Sequence, residues 1–223
     1  MSEHTVTAFD DDLKFLIAKI SEMGGNAESM VARSVNALIS ADKGLGQSVV
    51  ADDKLLDALQ VEVDDHVVLL IAKRQPMAQD LREAIGAMRM ATDIERIGDL
   101  GKNIARRSFQ IEGNLPPKKL QRGLQHLTNI SLEQLKDALD AYAAKDIEKS
   151  RLVWDRDDEI DSLYTSLFRE LLTYMMEDPR NITYCTHLLF CAKNLERIGD
   201  HVTNLAETTN YIITGSYEIS PES

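Results

Sequence analysis

Apolar residues recur every three or four positions along almost the whole chain, the spacing of one helix face after another. Leu13, Leu16, Ile17, Ile20, Met23, Ala27, Met30, Val31, Ser34 and Leu38 set a first helix over about residues 10–42. Gly24-Gly25 weakens it by about 1 kcal/mol per glycine relative to Ala and predicts a bend. Asp42-Lys43-Gly44-Leu45-Gly46 reads as its stop. Leu56, Leu59, Val63, Val67 and Leu70 give a second helix over about 48–74, and Pro76 is expected to open a third that runs to about 109. After Gly113-Asn114-Leu115-Pro116-Pro117, the strongest boundary signal in the chain, the plan recurs. Helices are predicted over about 117–144, about 147–176 and about 181–213, and no stretch reads as a strand. The fold class that follows is all-α: two tandem three-helix bundles made of six long helices, over residues 1–112 and 118–215, packed end to end or side by side.

The recurrence is sharpest at one short motif. Ile94-Glu95-Arg96-Ile97-Gly98-Asp99 on the third helix returns as Leu195-Glu196-Arg197-Ile198-Gly199-Asp200 on the sixth, with Glu95 and Glu196 101 residues apart. Asn103 and Asn204 follow at the same offset. Each copy sets Glu and Asp four residues apart, which places two carboxylates on one helix face about a turn from each other. Met90, Ile94, Ile97, Gly101 and Ile104 form the expected core stripe, with Cys191, Leu195, Ile198, Val202 and Leu205 in the second half. The helical wheel therefore puts Glu95, Asp99, Glu196 and Asp200 on the far side, facing solvent. A second acidic doublet precedes each motif: Asp53 with Asp57, and Asp157 with Asp161 at an offset of 104. Like charges this close repel, so a duplicated arrangement of them points to a cation. All-oxygen donors suit hard ions such as Mg²⁺, Ca²⁺ or Mn²⁺, and iron accepts carboxylates as well. Glu95, Asp99, Glu196 and Asp200 are thus the candidate metal ligands, with Asp57 and Asp161 behind them.

Charge and composition narrow the partners. With Lys+Arg 25 against Asp+Glu 37, the net charge is −12 and the pI about 4.9, which argues against nucleic acid and for cations or basic protein surfaces. No apolar run approaches the ~18 residues of a membrane span, and Met1-Ser2-Glu3-His4 lacks the features of a secretory signal. Cys185 and Cys191, six residues apart on one helix, read as small core residues in a reducing compartment. The five histidines share no spacing and supply no zinc pattern; His201 has Leu100 as its counterpart. There is no phosphate loop, no nucleophile elbow and no Glu-x-x-His pair of the di-iron type.

Twin E-R-I-G-D motifs in tandem three-helix units, with Gln75-Pro76 and Asp80-Leu81-Arg82 before the first, resemble the PhoU family from about Asp10 to Ile213. The resemblance implies metal clusters on these motifs, of divalent or iron-type ions such as Fe, Mn, Mg or Zn. It also implies a homodimeric cytoplasmic protein that is not an enzyme and meets the membrane only through partners. Its role would be that of a negative regulator of the phosphate regulon. It would link the ATPase subunit of a phosphate ABC transporter to a phosphate-sensing histidine kinase. Two departures, Asn194 for Asp93 and Asn181-Ile182-Thr183 for Asp80-Leu81-Arg82, imply a second site with less charge and weaker metal binding. The alternatives are an accessory protein of another phosphate transporter with no kinase partner, and a carboxylate-metal hydrolase. For the latter no base is in view beyond the metal acids themselves.

Overall fold

The computed structural model describes residues 3–111 and 117–219. Among these there are seven α-helices and no strand: α1 (Glu3–Ser40), α2 (Lys43–Arg74), α3 (Gln79–Arg107), α4 (Lys118–Ala144), α5 (Ile147–Asp155), α6 (Asp157–Glu177) and α7 (Ile182–Thr214). A 3-10 turn, Pro179–Asn181, leads into α7. Of the expected joint at Gly113–Pro117, residues 113–116 lie outside the described residues.

The predicted core stripes are the ones that are buried. Leu56, Leu59, Val63, Val67 and Leu70 of α2 face inward, as do Met90, Ile94, Ile97 and Ile104 of α3 and Leu195, Ile198, Val202 and Leu205 of α7. Helices α1, α2 and α3 form one bundle, and α4, α5/α6 and α7 the other. The bundles lie side by side, because α3 packs on α7 and α1 on α4, and the buried side chains merge into one continuous core. Polar contacts cross this junction as well. Lys145 donates to Glu83 at 2.6 Å, and Asp93 of α3 accepts from His201 and Asn204 of α7.

Several boundaries differ from the expectation, each for a local reason. Asp42 does not belong to a stop; it caps α2, its carboxylate accepting from Leu45 N–H at 2.9 Å, so the helix begins through Gly44 and Gly46. The stop is Ala41 alone, at φ 53°. The second half repeats the device: Lys145 has φ 52° and Asp146 caps α5 by accepting from Lys149 N–H at 3.0 Å. Pro76 does not open α3, which starts at Gln79 after Ala78 in an unusual backbone conformation at φ 50°. Helix α1 runs through Gly24-Gly25 unbroken. The predicted fifth helix is interrupted at Arg156, whose backbone O accepts from Gln134 Nε2 at 3.0 Å while its guanidinium reaches Glu133, Asp137 and Glu159. Helix α4 thus holds the break in place.

At Gly98 a side chain of α2 packs into the space of the missing Cβ: a Cβ there would lie 2.2 Å from Leu56 Cδ2. Gly199 repeats this, 2.9 Å from Ile160 Cδ1 of α6. Gly25, in contrast, has nothing within 4 Å of a Cβ position. Gly98→Val is expected to cost about 1–3 kcal/mol by overpacking, whereas Gly25→Ala should add ~0.5–1 kcal/mol. Urea unfolding of the two variants against wild type checks both signs.

Candidate functional site

Because Gly98 draws α2 onto α3, Glu95 and Asp99 are not on a free face, whereas Asp200 in the second half remains exposed as expected. Glu95 and Asp99 lie in the seam between α2 and α3, their side chains 13% and 29% exposed. The expectation that they point away from the core into solvent is corrected here. The helical wheel located the α3 core stripe but not the position of α2, which covers part of the opposite face. Asp53 enters the same seam, nearly buried, ten residues into α2, where no helix N-terminus accounts for it. Asp57, more exposed, adds charge close enough to bear on Glu95.

The first seam is held by cations of the chain itself. Lys102 Nζ contacts Asp53 Oδ2 at 2.6 Å and also Asp99 Oδ1, joining α2 to α3. Arg96 reaches back to Glu95 at 3.5 Å and Asp99 at 3.3 Å. These contacts set the titration. Burial would raise Asp99, but Lys102 and Arg96 outweigh it and hold the carboxyl below its ordinary value. Burial, then the neighbouring charge of Asp99, pushes Glu95 above its own.

The second seam, between α6 and α7, repeats the frame with different contacts. Thr203 stands where Lys102 does in the first half, and its hydroxyl donates to Asp157 Oδ1 at 2.9 Å. Asp157 is the first residue of α6, so here the helix N-terminus does favour the acid. Lys193 pairs with Glu196. Burial raises Asp200, and the charges of Asp157 and Asp161 raise it further against the pull of Lys193. In both seams, then, the carboxylates of the motif face those of the preceding helix: Glu95 and Asp99 meet Asp53 and Asp57, and Asp200 meets Asp157 and Asp161.

The donor set is all carboxylate, which suits hard cations and iron. As positioned, no three His, Cys, Asp or Glu groups among the described residues converge as a ready metal cage. In the second seam a metal needs the carboxylates to turn and the half-exposed Lys193 to release Glu196. In the first it needs Lys102 to leave, and with that ammonium in place the residues do not fit a metal.

Other residues take other roles. Asp93, which has Asn194 as its counterpart, points out of the seam and toward α7, where His201 Nδ1 lies 2.9 Å from its Oδ1 and Asn204 Nδ2 3.2 Å. The replacement by Asn194 therefore does not reduce the charge of the second seam. His201 and Asn204 pin the two bundles together, a contact that comparing the halves could not reveal because it joins positions that do not correspond. Lys102 was legible in principle, three residues after Asp99, but its counterpart Thr203 hides it from any search for what the halves share. Cys185 and Cys191 are buried and unbridged, and burial lifts the Cys191 thiol to about 12.

Comparison with known proteins matches this geometry to a family. The model of the PhoU domain matches residues 20–108 and again 124–209. A curated relative from Rhizobium meliloti, named a phosphate-specific transport system accessory protein PhoU homolog, is 58% identical over 96% of this chain and 90% of its own length. A protein of the same name from Caulobacter vibrioides is 48% identical, over 96% of this chain and 94% of that one. The crystal structure of PhoU from Pseudomonas aeruginosa superimposes with a TM-score of 0.87 at 37% identity, covering 93% of this chain and 100% of that one. The phosphate transport system regulatory protein PhoU from Streptococcus pneumoniae gives 0.86 at 27% identity, covering 95% and 100%.

The opposite shifts of Glu95 and Asp99 make opposite stability predictions for chelator-treated protein. Asp99 contributes stability above its ordinary value of ~3.9, lost as pH falls through its lowered folded value. Asp99→Asn should therefore lower the melting temperature at pH 7 by roughly 1–3 °C, with the deficit shrinking below about pH 4. Glu95 instead costs stability once ionised, above its raised folded value. Glu95→Gln should raise the melting temperature at pH 7 by a similar amount, a gain that disappears at acid pH. Thermal melts at the two pH values check both.

Proposed function

The chain belongs to the PhoU family, and on that premise we propose that it is the accessory regulator of a phosphate-specific transport system. It acts in the cytoplasm as an adaptor rather than an enzyme. In the phosphate-replete state it links the transporter's ATPase subunit to a phosphate-sensing histidine kinase and so represses the phosphate regulon. The observation that carries this reading is the pair of family-matched units, each with a carboxylate seam at the same place. The relatives that span nearly the whole chain bear the name of transport accessory proteins, which supports the transporter link. The kinase link rests on the family resemblance and on the acidic surface, which favours basic partner patches.

Two structural features agree with an adaptor. No helix among the described residues is long and apolar enough to cross a membrane, and contact with the bilayer through partners is part of the proposal. Helix α2 leaves Leu55, Val61, Val68 and Leu69 more than half exposed, and such apolar residues favour protein contact; self-association as a homodimer is part of the proposal. Metal on the seams would involve Glu196, Asp200 and Asp161 in the second half and Glu95, Asp99 and Asp57 in the first. The bound ion supplies positive charge that relieves carboxylate repulsion and stiffens the face on which a partner docks.

Tagged protein recovered from cells grown in high phosphate is expected to bring down the transporter ATPase and the kinase, and to bring down less of the kinase in low phosphate. Recovery of the ATPase without the kinase would favour the accessory reading with no kinase partner, and recovery of neither would sink the adaptor reading. In a direct titration with the kinase's cytoplasmic portion, replacing Glu196 and Asp200 by Ala should weaken binding at least several-fold. Raising salt from about 50 to about 300 mM should weaken it too, because exposed charges are then screened.

A further inference from the structure

The two seams share their acids but not what stands between them. In the first, the Lys102 ammonium lies between carboxylates of two different helices, Asp53 and Asp99, with its side chain only 15% exposed. In the second, the same position is Thr203, whose hydroxyl meets Asp157 and its own Gly199 carbonyl and brings no charge. The lysine that the second half does have, Lys193, stands elsewhere. It is 47% exposed, lies over the Tyr164 ring, and holds Glu196 of its own helix rather than crossing to α6 acids. Its counterpart in the first half is Thr92, a neutral residue whose hydroxyl accepts from Gln60 Nε2 at 3.4 Å.

A side-chain ammonium held between two carboxylates does electrostatically what a small cation would do there: it neutralises the repulsion and ties the helices together. It also excludes a competing ion, because a metal approaching Asp53 and Asp99 meets a positive charge that is covalently tethered and already desolvated. We infer that Lys102 is the resident cation of the first seam, so that a divalent metal ion takes the second seam in preference, where the exposed Lys193 need only let go of Glu196, and reaches the first only by expelling the Lys102 side chain. The sequence departures at Asn194 and Asn181–Thr183 predict the reverse order. Asp93, however, does not face the seam, so its replacement in the second half carries no weight there. The inference rests on metal binding at the seams as proposed above and assigns the difference between them to one position in the repeat.

The test exchanges that position. Chelator-treated full-length protein is titrated calorimetrically with Mn²⁺ and, anaerobically, with Fe²⁺. In wild type, Glu196→Gln/Asp200→Asn should abolish the tight class of sites, while Glu95→Gln/Asp99→Asn leaves it within about twofold. Lys102→Thr, and independently Lys102→Gln, should create a second class at least tenfold tighter than anything the first seam shows in wild type. Thr203→Lys should weaken the second seam at least tenfold. Melting temperature supplies a readout of the tethered charge itself. Without metal, Lys102→Thr should melt several degrees below wild type, and added Mn²⁺ should recover more of that loss than it adds to wild type. If the two pairs of acid substitutions cost equal metal in wild type, or if Lys102→Thr and Lys102→Gln bind as wild type does, the inference is wrong while metal binding stands. If neither wild type nor the Lys102 variants bind either ion, metal binding at the seams fails and takes the inference with it.

Discussion

Everything at the site follows from how closely two pairs of helices approach. At Gly98 the backbone of α3 presents no side chain, and Leu56 of α2 occupies the space; at Gly199 Ile160 does the same against α7. These contacts bring the helices near enough for carboxylates on both to share a strip of partly desolvated surface. With the helices farther apart, Glu95 and Asp99 would be ordinary solvated acids with unremarkable titration. Held close, they are a liability that a cation must offset, whether that cation is a lysine of the chain or an ion from solution. The conserved-looking grammar of the motif within this one chain is then physical. Ile97 and Ile198 anchor the core, the glycine admits the neighbouring helix, and the flanking acids occupy the strip that this contact creates.

The duplicated scaffold and its unduplicated charges serve different ends. The repeated features are those that shape a bundle: a left-handed residue followed by an Asp cap at residues 41–42 and 145–146, and a glycine facing Leu56 or Ile160. The features that differ either join the bundles or distinguish the seams. Asp93 binds His201, and Glu83 binds Lys145 across the junction; none of these four has a like-charged counterpart at the matching position. A side-by-side junction between α3 and α7 brings together equivalent helices, and a hydrogen bond there requires a donor on one and an acceptor on the other. Identical halves would carry one residue at both 93 and 194 and one at both 100 and 201; Asp93 with Asn194 and His201 with Leu100 are what make the contact directional.

By itself the sequence determined the helical class, the two units and where the repeated acids stand. Amphipathic spacing fixes which face of each helix seeks burial, and that information is local: the residues assigned to the α2, α3 and α7 stripes are the buried ones. Identical motifs 101 residues apart likewise mark Glu95, Asp99, Glu196 and Asp200 without any knowledge of packing. Helix ends were less legible, because Asp42 and Asp146 read equally as a terminator and as a cap until the preceding backbone angle is known. Of what faces the acids, the sequence showed the doublets Asp53/Asp57 and Asp157/Asp161 but not the seam that brings them there or the lysine within it. A single-helix wheel divides core from solvent but has no term for a second helix lying over the solvent side. The seam joins separate helices, and the Lys102 bridge from α3 to Asp53 on α2 and the His201 contact with Asp93 span 49 and 108 positions of the chain. Such contacts exist only once packing has set the distance between helices, and that distance is a property of tertiary structure.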